Sequence, residues 1–222
     1  STRPGAQKIS VEEEIARTAP LIEQLVANFD VPISIDTYKA PTAQACLEAG
    51  AHIVNDISGL RFDPQMATTI AVHQNVPVIL MHIKGTPESM QQTPHYDDTI
   101  EEIVEQLENS VVLAKTAGIS RENIILDPGI GFGKRFEDNL EIMRKLPEIT
   151  GLGYPVLFGS SRKSFINQIT PTLPEERLPG TAATQALAMI NGASILRVHD
   201  VGFFRQFINV LDAVIKPKTI FG

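Results

Sequence analysis

Six short β-branched segments, each followed by a stretch of helical periodicity, constrain this chain more than any other feature. Residues 32–36, 52–56, 77–82, 124–127, 155–159 and 195–199 read as strands. Residues 42–49, 64–74, 97–117, 136–146, 181–191 and 201–215 read as the helices that follow them. A further helix over 11–29 leads the series, with Ser10 as its N-cap and Glu12, Glu13 and Glu14 in its first turn, where negative charge suits the helix dipole. Strict alternation of this kind predicts a parallel sheet with right-handed helical crossovers. Two architectures satisfy it: an open doubly wound sheet and a closed eight-stranded barrel.

The placement of polar residues separates the two. Nearly every strand is apolar until its C-terminal end and then delivers Asp36, Asn55 and Asp56, His82, Asp127, Ser160 and Ser161, or Arg197 and His199. In a barrel all strand C-termini converge on one mouth, whereas an open sheet gathers only those beside its switch point. Six loaded ends therefore predict a TIM (β/α)8 barrel, formed as one domain over residues 1–222, of which about six βα units are present and the first two strands are missing. Ser1 to Gly5 reads as a polar loop entering a helix, so the expectation is a chain truncated at its N-terminus.

At 222 residues one sizeable core is affordable. A net charge of −7 argues against a general nucleic-acid or anionic-membrane surface, so any anionic ligand must meet a local basic cluster. The single cysteine, Cys46, makes no internal disulfide, no apolar run approaches the roughly 18 residues of a membrane span, and no secretion signal opens the chain. The expected compartment is the cytoplasm.

The most informative stretch is Asp127-Pro128-Gly129-Ile130-Gly131-Phe132-Gly133-Lys134. Alternating glycines let backbone approach a ligand closely, yet the spacing matches neither the dinucleotide fingerprint nor a Walker A loop. Asp127 before Pro-Gly equally suits an Asx turn, while Phe132 offers a face to a flat ring. Ser160 to Ser164 places hydroxyl and basic groups where a helix should begin, which suits an anion and also suits an exposed capped helix. Lys163 could serve as a Schiff-base amine, but its neighbour Arg162 is no evidence of a lowered pKa. Arg197 and His199 alternate on a strand, so both face one way, as a phosphate site or as a buried salt bridge to Asp200 or Asp127. Asp36 with Thr37, and Asn55 with Asp56, double as helix caps. His82, without a metal-ligand pattern around it, reads as a satisfied strand-end histidine. Residues 83–96 read either as a mobile lid or as a solvated excursion.

Taken in order, Ser1 to Gly5, Ile35 to Lys39, Asn55-Asp56, Met81-His82, Asp127 to Lys134, Ser161 to Lys163 and Arg197 to Asp200 resemble the successive signatures of dihydropteroate synthase across the whole chain. The resemblance implies a Mg2+-assisted transferase of folate synthesis that joins 6-hydroxymethyl-7,8-dihydropterin pyrophosphate to 4-aminobenzoate and expels pyrophosphate. It implies pterin contacts from Asp36, Asn55, Asp127 and Lys163, with Phe132 as a wall between the substrates. Arg197 and His199 match the pyrophosphate site, and Lys163, Arg197 and His199 the catalytic set. Thr2, Pro4 and Ser164 match the aminobenzoate side, where sulfonamides compete. The family's metal-holding Asn belongs to the missing segment, so no metal ligand is expected in this chain, and the chain alone is expected to be inactive. A homodimer is carried over from the family. The alternatives are a methyltetrahydrofolate-binding methyltransferase, against which Ser161 to Lys163 and Arg197 to His199 speak, and a non-catalytic pterin-binding domain.

Overall fold

The computed structural model describes residues 7–215. Its elements run α1 (Val11–Asn28), β1 (Ser34–Asp36), α2 (Ala40–Glu48), β2 (Ile53–Asp56), α3 (Met66–Val72), β3 (Val78–Met81), α4 (Thr99–Thr116), β4 (Ile124–Asp127), α5 (Phe136–Arg144), α6 (Leu146–Thr150), β5 (Leu157–Phe158), α7 (Ser164–Ile169), α8 (Leu178–Ile190), β6 (Ile195–Leu196) and α9 (Val201–Ile215). All six expected strands form, and every pairing is parallel. β1 to β4 lie side by side in chain order, β5 pairs with β6, and a bridge between Leu126 and Val156 joins the two sets.

Local chemistry explains where the helices start. Ser10 caps α1 by accepting from Glu13 N at 3.1 Å, and Asp98 caps α4 by accepting from Ile100 N and Glu101 N. The helix expected over 136–146 is two helices, α5 and α6. Pro147 has no N–H to donate to the carbonyl four residues back and its ring crowds that turn, so the helical run breaks at Lys145 and restarts. Proline acts oppositely in α8, which begins at Leu178 rather than 181 because Pro179 occupies the first turn, where no N–H is needed. The strand expected over 195–199 stops at Leu196. Arg197 N still donates to Phe158 O at 2.9 Å, but β5 ends there, so Val198 and His199 continue past the sheet.

Period-two alternation sorts the strands into two apolar layers. Val78, Leu80, Ile124, Leu126, Val156 and Phe158 join the large core beneath the helices, with Ile100, Ile103, Leu107, Ile142 and Leu146. Their neighbours Ile79, Ile125 and Leu157 form a separate cluster on the other face, with Ile53 packed against it. An apolar layer on the inner face is what a barrel interior requires.

The curvature is measurable. Six strands laid flat would separate the first from the last by roughly 24 Å. Instead Arg197, just after β6, reaches Asp36, at the end of β1, with Nη2 2.5 Å from Oδ2. The strands therefore curl around a common axis as in a barrel, and their C-terminal ends face one another. No helix among the described residues is long and apolar enough to cross a membrane.

Candidate active site

The converging strand ends enclose a cavity of about 1130 Å³ lined by Asp36, Asp127, Phe132, Lys163, Arg197 and His199, among others. Four of the six loaded strand ends, at Asp36, Asp127, Ser161 and Arg197 with His199, contribute polar side chains to its wall, as convergence on one mouth requires. His82 and Asn55 sit immediately behind it, buried.

Asp127 ends β4 and is 6% exposed. Its Oδ1 accepts from Gly129 N at 2.7 Å, so the Asx turn read from the sequence is present and serves to hold the carboxylate at the cavity. Burial pushes its pKa up, opposed by that N–H and by Lys163, Lys134 and Arg197. Burial lowers Lys163 to about 8, with Asp127 resisting and Arg197 adding to the fall. The Lys163 ammonium lies 4.4 Å from the centre of the Phe132 ring. A carboxylate, an ammonium and an aromatic face thus bound one slot.

The glycines fix Phe132 at that slot. Gly129, Gly131 and Gly133 all take positive φ, at 69°, 80° and 64°. A Cβ on Gly129 would strike the His82 carbonyl oxygen, and one on Gly133 the Lys84 carbonyl oxygen. The loop therefore lies flat on the backbone that follows β3. Residues 83–96 are exposed along half their length yet reach back to the site: Gln91 donates to Gly131 O at 2.6 Å, Tyr96 to Gly133 O at 2.7 Å, and Met90 is buried.

At the opposite wall Asp36 binds Arg197 and accepts from Asn55 Nδ2 at 2.6 Å. Asn55 is 4% exposed and its Oδ1 is buried without a protein partner, an unmet acceptor next to the cavity. Asp56, by contrast, caps no helix but holds the turn after β2: it accepts from Ser58 N, Ser58 Oγ and Leu60 N at 2.7 to 2.9 Å, and α3 begins only at Met66. The buried salt bridge to Asp200 or Asp127, the alternative to a phosphate site for Arg197 and His199, does not form. Asp200 is taken by Arg162 in a two-pronged pair at 2.5 and 3.2 Å, and Arg197 turns across the mouth to Asp36. His199 meets Ser161 Oγ through Nδ1 at 2.8 Å, and burial, then Arg162, lower its pKa. Ser164 opens α7, exposed at the cavity rim. Thr2 and Pro4 lie outside the described residues.

Two contributors escape sequence reading. Glu14, read only as a first-turn acid, holds Thr37 Oγ1 at 2.7 Å and Lys39 Nζ at 2.6 Å, tying α1 to the loop after β1. Lys134 is 4% exposed with its Nζ 2.8 Å from His82 Nδ1, so His82 is a satisfied histidine and its partner is a lysine 52 residues away. Nothing in the local sequence marks either pairing. Among the described residues no group of three or more His, Cys, Asp or Glu side chains could hold a metal ion.

The family described as pterin binding enzyme matches residues 1–199. The dihydropteroate synthase of Synechocystis is 48% identical over 215 residues, covering 96% of this chain and 74% of that protein. The chain belongs to the dihydropteroate synthase family. Among solved family members, the Clostridium difficile enzyme crystallised in the presence of pteroic acid superposes with a TM-score of 0.90 at 43% identity, covering 96% of this chain and 79% of that one. The Xanthomonas albilineans enzyme with 4-aminobenzoic acid gives 0.91 at 42% identity, covering 98% and 77%. The family's barrel is thus the fold of this chain.

Proposed function

We propose that this cavity joins 6-hydroxymethyl-7,8-dihydropterin pyrophosphate to 4-aminobenzoate, forming 7,8-dihydropteroate and pyrophosphate for folate synthesis. The observation that carries the reading is the slot in which Asp127, Lys163 and Phe132 meet, with Arg197 and His199 at its rim. Relatives that bind pteroic acid and 4-aminobenzoic acid support it.

A pterin presents an amino-amide edge that donates to a carboxylate, and ring atoms that accept from an ammonium. Asp127 takes the first role and Lys163 the second. Asp36 and the unmet Asn55 Oδ1 offer further acceptors on the facing wall. Phe132 stands between the pterin and the aminobenzoate, whose side of the site takes in Ser164, and Thr2 and Pro4 of the leading segment. Arg197 and His199, with the N-terminus of α9 just beyond, receive the pyrophosphate. Arg197 must then exchange Asp36 for the incoming anion, which frees Asp36 as the pterin arrives.

The bond from the pterin methylene carbon to oxygen breaks, and pyrophosphate leaves with the electron pair, its growing charge held by Arg197 and His199. The methylene cation is spread over the dihydropterin, the aminobenzoate nitrogen attacks it, and that nitrogen then loses its proton. Holding both reactants in line supplies most of the acceleration, since little proton transfer is needed beforehand. Mg2+ would neutralise charge on the pyrophosphate, but the described residues include no cluster that could hold it, and no step here passes through it. Cytoplasmic location, a homodimer and competition by sulfonamides at the aminobenzoate side belong to the same reading.

The test supplies pterin pyrophosphate and labelled 4-aminobenzoate to the chain extended to the full length of its relatives, of which it spans 74% of the Synechocystis enzyme, and measures labelled dihydropteroate. Product is expected. Pteroic acid binding without product would instead establish the non-catalytic pterin-binding domain, and methyl transfer from methyltetrahydrofolate to a corrinoid would replace the synthase by the methyltransferase.

A further inference from the structure

Lys134 is a buried cation that the reaction above does not use. Its ammonium can donate three hydrogen bonds, and three acceptors surround it: His82 Nδ1 at 2.8 Å, Phe132 O at 3.0 Å and His82 O at 3.5 Å. Two of these lie on the loop after β3, and the third on the glycine loop itself. One side chain therefore fastens the Phe132 loop to the backbone against which Gly129 and Gly133 already lie. The arrangement requires His82 to present an unprotonated Nδ1, and that histidine is held neutral: burial, then Lys134 and Arg61, keep its pKa well below 6.5.

The charge has a second consequence. Among the groups acting on Lys134, Asp127 and Asp138 favour its ammonium and Lys163 and Lys84 oppose it. His82 in turn faces Arg61, Lys84 and the Tyr96 ring. In that setting Lys134 is one of three cations, with Lys163 and Arg197, that oppose the upward push of burial on the Asp127 carboxyl.

We propose that Lys134, braced by His82, is a positioning residue for pterin recognition: it fixes the Phe132 loop and sets a buried positive charge behind it without touching the substrate. This rests on the pterin-binding reading given above. A pterin edge donates to Asp127 only while that carboxylate is charged, so binding must weaken as pH falls through the Asp127 pKa. Removing the neighbouring cation raises that pKa and carries the acid limb of binding upward. Burial lowers the Lys134 pKa to about 7, so the ammonium is present throughout the acid range in which this limb lies.

Pteroic acid affinity is measured by calorimetry from pH 4 to 8 on the full chain, with melting temperatures recorded at each pH. Lys134→Met and Lys134→Gln are both expected to move the midpoint of the acid limb up by about one pH unit, the shift typical of a lost neighbouring charge. Gln restores hydrogen bonding but not charge, so it separates the two roles and remains readable if the Met variant fails to fold. His82→Gln, which keeps an acceptor for the ammonium, is expected to follow the wild type. Wild-type midpoints in both Lys134 variants, or an affinity loss equal at every pH that tracks a lower melting temperature, would overturn the proposal. A wild-type chain that binds no pteroic acid at any pH would instead bring down the reading on which it stands. Condensation activity enters neither measurement.

Discussion

The floor of the cavity and its rim are both built from acid-base partners, but on opposite physical terms. At the floor Asp127, Lys134 and His82 are at most 6% exposed, and Asp127 and Lys134 are each tied to backbone as well. At the rim the Arg197 and Asp36 side chains are 55% and 38% exposed and are held chiefly by each other. Charge buried at the floor is costly to place and strongly coupled, so it recognises by fixed geometry. Charge at the rim is hydrated and screened, so its pair exchanges cheaply for an anion. A rigid recognition surface beneath an exchangeable ionic clasp suits a substrate whose heterocycle must stay put while its pyrophosphate departs.

The hardest strike against this contrast is Asp127→Asn. It leaves Lys163 and Lys134 buried without the carboxylate that favours their charged forms, and it turns one of the two oxygens that accept from the pterin edge into an NH2 donor. Pteroic acid affinity is expected to fall by at least ~100-fold and stability by about 3 kcal/mol, the scale of breaking a buried charge pair. Calorimetry and urea unfolding read the two effects. A stable variant that still binds would mean that the floor is not organised around this carboxylate.

A pair of truncations sharpens the division. Lys163→Ala is expected to weaken pteroic acid binding roughly tenfold or more, in line with loss of a charged hydrogen bond. Arg197→Ala should leave pteroic acid, which carries no pyrophosphate, bound within about threefold of the wild type, while raising KM for the pterin pyrophosphate roughly tenfold. Added salt should erode the wild-type advantage over Arg197→Ala far more than that over Lys163→Ala, since only the rim is screened. Equal small effects from both substitutions would dissolve the distinction between floor and rim.

How much of this was legible in the sequence follows the same boundary. The six strands, the parallel order and the convergence of Asp36, Asp127, Lys163, Arg197 and His199 come from short-range pattern, because period-two alternation and polar strand ends are local properties. Pairing partners are not local. Arg197 with Asp36 spans 161 residues, and Lys134 with His82 spans 52. The sequence supplied Asp200 as the near neighbour of Arg197 and His199, yet the left-handed turn at Arg162, with φ of 58°, presents that arginine to Asp200 first. The break between α5 and α6 was readable from Pro147. The shortening of β6 was not, since it depends on where its partner β5 ends.

The finest distinction lies within the floor itself, between the Lys134 brace and the outer brace from Tyr96. Tyr96 donates to Gly133 O at 2.7 Å, and its ring lies 4.1 Å from the Lys84 ammonium, which itself pairs with Glu102. Tyr96→Phe deletes the one hydroxyl while keeping the ring and its cation contact, so stability should fall by only about 1 kcal/mol. Gly133 also keeps its positive φ and its contact with the Lys84 backbone, which hold the loop's path without the hydroxyl. The acid limb of pteroic acid binding should therefore stay where the wild type has it, because no charge near Asp127 has changed. A shift in that limb as large as the one expected from Lys134→Gln would show that loop position, and not the buried ammonium, sets the ionisation of Asp127.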